Sequence, residues 1–179
     1  MIEAIRNRRS IRKYKDQPVD EERLLKIIDC GRLAPSDSNT QPWNFIIVRS
    51  DEMRAKIAHV SHEQEWMFGA PIFIVCVADI RVTTSETEPM DIDEETPGIG
   101  LKQIILDTAI ASENIVLAAE SMGLGTCWVS WYVQNEIRPL LGIPSDKYVV
   151  AVITMGYPDQ TPKQRPRRTL EEVIRYERW

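Results

Sequence analysis

The longest hydrophobic pattern in the chain runs from residue 101 to residue 122 and repeats every three or four residues, the period of one helix face. Its members are Leu101, Ile104, Ile105, Ala111, Ile115, Val116, Ala119 and Met122. Leu106, Ile110 and Leu117 add a second apolar face, so only narrow polar strips remain. A helix that is apolar around most of its circumference is normally buried. Gly123 is expected to end this helix, because glycine adopts the left-handed conformation without steric cost.

Shorter patterns on either side of this long central helix predict the remaining elements. We expect helices over residues 2–6, 19–33, 51–60 and 135–141, and strands over 43–48, 72–77, 126–129 and 148–155. Residues 161–168 are basic and expected to be extended, and residues 170–174 form a short helix or strand. Strands and helices alternate irregularly without an internal repeat, which is typical of an α+β fold with a mixed sheet and helices around it.

The central helix also carries small residues, which would let a second helix approach closely. They are Ala109, Ala111, Ser112, Ala118, Ala119 and Ser121. A single small sheet covers only one face of a helix, whereas this helix is apolar on more than one. The pattern therefore favours a homodimer built around it, and the alternative is a monomer that wraps the helix with its own chain.

A long polar segment, Arg81–Gly100, separates the strand at 72–77 from the central helix. It has no hydrophobic period and carries six acidic residues, Glu86, Glu88, Asp91, Asp93, Glu94 and Glu95. Loops of this length are uncommon in compact domains unless they are functional or mobile. We expect a lid or a mobile segment here.

Composition narrows the class of protein. The chain has 179 residues and a net charge of −5, which suits one domain over residues 1–179 and argues against nucleic acid or anionic membranes as main partners. We find no signal-peptide layout and no apolar run of membrane-spanning length, so a cytoplasmic location is expected. The three cysteines, Cys30, Cys76 and Cys127, are far apart in sequence and form no ligand set with His59 and His62. Neither a disulfide framework nor a metal site is expected.

Two arginine clusters lie near opposite ends of the chain. The first comprises Arg8, Arg9, Ser10 and Arg12, and the second Arg165, Arg167 and Arg168. Guanidinium groups offer forked donors that match a phosphate, and a serine hydroxyl adds one more hydrogen bond. This interpretation requires that the clusters meet in space; otherwise they are two solvated basic termini, or a basic arm for nucleic acid.

Two further stretches were considered for ligand binding. The loop Pro35–Pro42 is rich in amide and hydroxyl groups, which suit edge-on hydrogen bonding to a planar heterocycle, but it is equally typical of an ordinary connection with turn residues. Gly123 and Gly125 do not form a dinucleotide fingerprint, because they follow a helix and precede a strand and no third glycine is in place.

Taken together, these stretches resemble the nitroreductase family of FMN-dependent oxidoreductases. Five landmarks occur in the family's order: RRSIRKY near the start, PSDSNTQPWNF, Gln64 before Ala70-Pro71, DTAIASENIVLAAESMGLGTCW, and RPRRTLEEVI near the end. The resemblance implies a three-layer α-β-α sandwich with a mixed central sheet and a long buried central helix. It also implies a homodimer with FMN at the subunit interface. Such enzymes take a hydride from NADH or NADPH and pass it by a ping-pong route to nitroaromatics, quinones, enones or flavins.

The resemblance also implies roles for individual residues in binding FMN. Phosphate and flavin-edge contacts fall on Arg8, Arg9, Ser10 and Arg12, with Arg12 near the pyrimidine edge, and a second phosphate clamp falls on Arg165 and Arg167. The loop that reaches the flavin of the other subunit contains Pro35, Ser36, Ser38 and Asn39. Gln64 belongs to the same binding set, and the backbone beside the flavin ring is that of Trp128, Val129 and Ser130. No side chain is expected as a catalytic acid or base, because the flavin carries the redox chemistry.

The chain departs from the family pattern at three places. Asp37 replaces a usual serine, Trp66 replaces a lysine of some members, and Ser130-Trp131 replaces a Glu-Gly pair. The two tryptophans are expected to narrow the substrate face. The acidic loop is expected to favour NADH modestly over NADPH, and residues 170–179 to extend over the partner. The alternative function is a flavin-binding sensor or regulatory module without broad reductase activity.

Overall fold

The computed structural model describes residues 2–85, 87, 89–96 and 98–179, and describes the backbone of Ile99 without its side chain. The helices are α1 (Glu3–Asn7), α2 (Glu21–Arg32), α3 (Asp51–Val60), α4 (Ile99–Ser121), α5 (Gln134–Leu140) and α6 (Leu170–Val173). The strands are β1 (Trp43–Val48), β2 (Ile72–Asp79), β3 (Gly125–Val129) and β4 (Lys147–Gly156). The order of elements is the one expected from the sequence, with ends that differ by at most a few residues.

The four strands form one sheet in the order β1-β2-β4-β3. All three strand pairings are antiparallel. The sequence predicted a mixed sheet, whereas the strands of this sheet are all antiparallel to their neighbours. Within the described residues, parallel pairing occurs only in an isolated bridge between Ser10 and Thr126. β1 is joined to its neighbour β2 through α3, and β3 to its neighbour β4 through α5. In both cases the second strand starts at the end of the sheet where the first one stopped, so the two strands run in opposite directions.

Helices cover both faces of the sheet, which confirms the three-layer sandwich. Along β2, Phe73 and Val75 belong to the core cluster that also contains residues of α3 and α5. Ile72 and Ile74 belong to the cluster shared with α2 and α4. This alternation is the period-two pattern of a strand buried on both sides.

The central helix α4 is buried on one face and open on the other. Ile104 and Ile115 are fully buried, whereas 49% of Leu106 and 44% of Ile110 is exposed. Gly123 follows the helix with φ +78°, as expected for its end. The second apolar face is thus uncovered in the single chain.

The described part of the acidic segment is attached to α5. Ile92 is buried, and the buried Arg138 donates hydrogen bonds to the Ile92 carbonyl oxygen at 2.7 Å and to Asp91 Oδ1 at 3.0 Å. Glu94 Oε1 accepts a hydrogen bond from the backbone N–H of Gln134. Glu86 and Glu88 lie outside the described residues. Mobility of the segment stays a prediction, but its described second half is tethered, and its last two residues belong to α4.

The chain after β4 leaves the body of the domain. Residues 161–168 belong to no helix or strand, and α6 begins after Thr169, which caps it. The large apolar side chains of residues 170–179 are exposed, with Trp179 fully so. Among the described residues, no helix combines the length and apolarity needed to cross a bilayer.

Candidate functional site

The N-terminal arm, residues 8–15, crosses the ends of β3 and β4. The backbone N–H of Ile11 donates to the Thr126 carbonyl oxygen at 2.8 Å. Farther along, the Lys13 carbonyl oxygen accepts from the Asp159 N–H at 2.9 Å, and Tyr14 pairs with Pro158. These contacts hold the segment after β4 beside the arm, so the two ends of the chain run next to each other.

A buried tyrosine fastens this arm to the sheet. The Tyr14 hydroxyl donates to the Ile11 carbonyl oxygen at 2.6 Å and lies 2.7 Å from Thr154 Oγ1 of β4. Burial raises the pKa of Tyr14 well above its ordinary value, against the smaller opposing effect of the Thr154 hydrogen bond. The neutral hydroxyl is therefore available as a donor throughout the physiological pH range.

Replacing Tyr14 with phenylalanine is expected to lower the free energy of unfolding by about 1–2 kcal/mol, because the Ile11 carbonyl loses a buried donor. Urea unfolding followed by circular dichroism measures the change. Tyr157→Phe is the matched control, because the Tyr157 hydroxyl accepts from the partly exposed Arg23 at 2.9 Å and should shift the midpoint much less. Equal midpoints for the two variants would contradict the fastening role of Tyr14.

The two arginine clusters meet in a cavity of about 400 Å³. It is lined by Arg8, Arg9, Ser10, Arg12, Gln160, Pro162, Lys163, Arg165 and Arg167. The N-terminal arm and the segment after β4 are also in direct contact, because Arg9 Nη2 donates a hydrogen bond to Gln164 Oε1 at 3.1 Å. No acidic residue is among these lining residues of the described chain. The lining fits a phosphate monoester, which needs two negative charges compensated and several donors, and excludes the interpretation as two separate solvated termini.

One carboxylate lies beside this cavity without lining it. Glu113 of α4 is 3.9 Å from Arg8 Nε. Partial burial raises the pKa of Glu113, and the Arg8 charge opposes this shift. Glu113 thus links the N-terminal arm to the open face of α4.

Sequence reasoning missed Lys163 and Gln160 in the lining. The position of Lys163 could have been inferred from the sequence. Side chains of an extended segment alternate, so residues 163, 165 and 167 share one side of the run that was expected to be extended. Gln160 had no such signal, because its place depends on the turn after β4.

Arg12, one of the lining residues, contacts an aromatic side chain. Its guanidinium carbon lies 5.4 Å from the centre of the Trp66 ring. Trp66 Nε1 donates to Gln64 Oε1 at 3.2 Å, and Gln64 Nε2 donates to the Ser61 carbonyl oxygen at 2.9 Å. Gln64 is therefore not part of the cavity lining; it orients Trp66, which in turn faces Arg12.

β3 begins next to the cavity, where Thr126 bridges to Ser10. Val129 is buried, whereas the side chains of Trp128 and Ser130 are exposed. Just beyond the strand, the ring of Trp131 stacks on that of His62 with centroids 4.1 Å apart. Trp128, Val129 and Ser130 do not line the cavity, so their place beside a flavin ring stays a prediction.

The loop Pro35–Pro42 lies elsewhere and does not line the cavity of its own chain. Ser38, Asn39 and Gln41 have φ values of 48°, 57° and 50°. The loop is tied to α4 by the backbone N–H of Asp37, which donates to the buried Asp107 Oδ2 at 3.1 Å. Pro35, Ser36, Ser38 and Asn39 are therefore not brought to the arginines within one chain, and their role at a partner's site stays a prediction.

Comparison with known proteins decides the family. A sequence model of the Nitroreductase family matches residues 5–157. The chain belongs to the nitroreductase family. The match includes the first arginine cluster, the Pro35–Pro42 loop, α4 and all four strands.

Individual relatives agree with this family. A Methanothermobacter thermautotrophicus protein, provisionally named NADH dehydrogenase/NAD(P)H nitroreductase, is 38% identical over 169 residues, covering 92% of this chain and 81% of the relative. The FMN reductase [NAD(P)H] of Bacillus subtilis is 31% identical, with 97% of this chain and 72% of the relative covered. The solved NADPH:FMN oxidoreductase of Vibrio harveyi, complexed with NAD+, superposes with a TM-score of 0.88 at 30% identity over 99% of this chain and 77% of that one.

Two of the three departures from the nitroreductase pattern introduce a tryptophan. Trp66 contacts Arg12, and Trp131 stacks on His62. Asp37, in contrast, lies on the loop next to α4 and receives a hydrogen bond from Ser38 Oγ at 3.3 Å. Asp37 does not line the arginine cavity of its own chain, and an effect of the two tryptophans on the substrate face stays a prediction.

Proposed function

We propose that this nitroreductase is an FMN-dependent enzyme that takes a hydride from NADH or NADPH and delivers it to a small acceptor by a ping-pong route. The acceptor class comprises nitroaromatics, quinones, enones and flavins. The observation that carries the proposal is the cavity in which both arginine clusters converge. FMN, when bound, supplies the redox chemistry, and the chain supplies binding, orientation and electrostatics.

The cavity residues would hold the phosphate of FMN. Arg8, Arg9 and Ser10 act from the N-terminal arm, and Arg165 and Arg167 from the segment after β4, with Lys163 as an additional cation. Each contact is charge-assisted and stronger than one between neutral groups.

The ring of FMN would lie along β3. Arg12, held over Trp66, provides a fixed positive charge where negative charge accumulates at the ring edge. The backbone of Trp128, Val129 and Ser130 provides donors and acceptors beside the ring, and Gln64 acts by orienting Trp66.

The functional unit we propose is a homodimer. Its interface uses the exposed apolar face of α4 and the exposed side chains of residues 170–179. Pro35, Ser36, Ser38 and Asn39, which are remote from the cavity of their own chain, would then complete the site of the partner. A cytoplasmic location is part of the same proposal, because all three cysteines are free thiols, as is usual in a reducing compartment.

Anaerobic mixing tests the proposal. The purified protein should carry a flavin absorbance band, and NADH or NADPH should bleach it before any acceptor is added. Initial rates with a nucleotide and a quinone should give parallel double-reciprocal lines. A yellow protein that neither nucleotide bleaches would favour a flavin-binding sensor, and a colourless protein with salt-dependent DNA binding would favour a basic-arm function.

The acidic segment is proposed to discriminate between the nucleotides. Glu95→Gln removes one exposed charge, so the ratio of kcat/KM for NADPH to that for NADH should rise about two- to threefold at low salt and less at high salt. Glu22→Gln on α2 is the control for a general charge effect. If this NADPH/NADH ratio is the same in both variants and in the parent, the acidic segment does not discriminate between the two nucleotides.

A further inference from the structure

Two aromatic rings stack on each other at the surface beyond the end of β3. The centroids of His62 and Trp131 are 4.1 Å apart, and their planes are inclined by 27°. Trp131 is nevertheless 65% exposed, and His62 is exposed as well. Because His62 covers one face of the indole, the remaining exposed area is available to another flat group. Large aromatic side chains stabilise proteins chiefly through burial, so an exposed pair of this kind is unusual unless it meets a ligand.

The loop that presents His62 has a specific and costly shape. His62 and Glu63 have φ values of 57° and 52°, a left-handed conformation that non-glycine residues seldom adopt twice in succession. Gln64 fixes the loop by donating to the Ser61 carbonyl oxygen and accepting from Trp66 Nε1. Such local strain persists where the surrounding structure determines it, and it is concentrated at functional sites.

The pair lies at the opposite end of β3 from the phosphate cavity. Thr126 bridges to Ser10 of the cavity, and Trp131 comes five residues later. Extended backbone advances about 3.3 Å per residue, so the two positions are separated by at most about 17 Å. Arg12 of the cavity lining contacts Trp66, and Trp66 donates to Gln64, which follows His62 by two residues.

We propose that the His62–Trp131 pair is a stacking platform that binds the planar conjugated ring of the electron acceptor. The inference rests on the proposed function, in which the FMN ring lies along β3 and its outer end faces the platform. Stacking selects flat conjugated acceptors over bulky ones. Glu63 and Glu65 are exposed on the same loop and disfavour anionic rings, so neutral quinones are the preferred class.

Binding without turnover tests the platform. Menadione, a neutral planar naphthoquinone, is titrated into oxidised, FMN-loaded enzyme without NADH or NADPH, and its Kd is read from the change in the flavin spectrum. Trp131→Ala should raise this Kd roughly 5- to 10-fold, the range of one aromatic stacking contact. Trp131→Phe should restore most of the affinity. His62→Ala should have a smaller effect, because it removes only the support behind the indole.

Turnover provides a second readout. Ferricyanide is not a flat aromatic molecule, so the ratio of kcat/KM for menadione to that for ferricyanide should fall in Trp131→Ala by the same factor as the affinity. An FMN-loaded Trp131→Ala protein whose menadione Kd stays within twofold of the parent would overturn the platform, whether the pair is covered or simply unused. A parent protein that purifies without flavin, or that neither nucleotide bleaches, would contradict the proposed function, and the platform with it.

Discussion

Replacing Arg167 with alanine is expected to weaken FMN binding roughly 10- to 150-fold. The change removes one charge-assisted hydrogen bond to the phosphate, which contributes about 1.5–3 kcal/mol. Arg167 suits this test because it lines the cavity, and its own contacts, to the carbonyl oxygens of Arg165 and Pro166, are long at 3.4 and 3.5 Å. Arg9 is less suitable, since it also holds the Arg6, Asn7 and Arg8 carbonyls and its loss would disturb the arm.

Fluorescence titration of the deflavinated protein with FMN measures this effect. Arg168→Ala is the matched control, because Arg168 has the same charge, is adjacent in sequence and does not line the cavity. Its FMN affinity should stay close to that of the parent. Equal Kd values for Arg167→Ala and the parent would remove Arg167 from the phosphate clamp, and equal losses in both variants would indicate a general charge effect instead.

Local sequence signals predicted some elements to the residue. β1 and α3 have the bounds expected, because Ser50 caps α3 by accepting from the Met53 N–H and separates it from the preceding strand. Longer-range pairing explains the differences elsewhere. β2 continues past its apolar run to Asp79, because Asp79 pairs with Lys147 across the sheet. The antiparallel direction of the strands likewise depends on how connections fold back, which hydrophobic periodicity does not encode.

The sequence predicted which residue types form the candidate site, but not how the fold brings them together. The arginine clusters were recognisable from residue type, whereas their meeting depends on the Tyr14–Pro158 bridge and on the bond from Asp159 to Lys13. The sequence contains even less indication that His62 and Trp131 stack on each other. It joins two loops far apart in sequence, and one of them has left-handed residues other than glycine, which propensity alone would not predict.

The largest effect is expected at the open face of α4. If α4 forms the centre of the proposed homodimer, Ile110→Lys should yield monomers that lack FMN. Leu106 and Ile110 are one helical turn apart and almost half exposed in the single chain, so a partner must cover them if α4 is the centre of the interface. A lysine there would be desolvated in the interface, which is strongly unfavourable, and a carboxylate on this face, Glu113, already lies 3.9 Å from Arg8. FMN would be lost with the dimer, because the partner's Pro35–Asn39 segment would no longer reach the cavity.

Sedimentation at low micromolar concentration, together with the flavin content of each species, measures this change. Ala55→Lys is the control: it adds the same charge to α3, on the other side of the sheet, and should leave a yellow dimer. An obligate interface of this kind should bury more than about 2,000 Å² in total. The thermal midpoint of the parent should then rise with protein concentration, because unfolding and dissociation become one transition. A parent protein that sediments as a yellow monomer would exclude both the α4 interface and the cross-subunit role of Pro35–Asn39, since each cavity would then be complete within one chain.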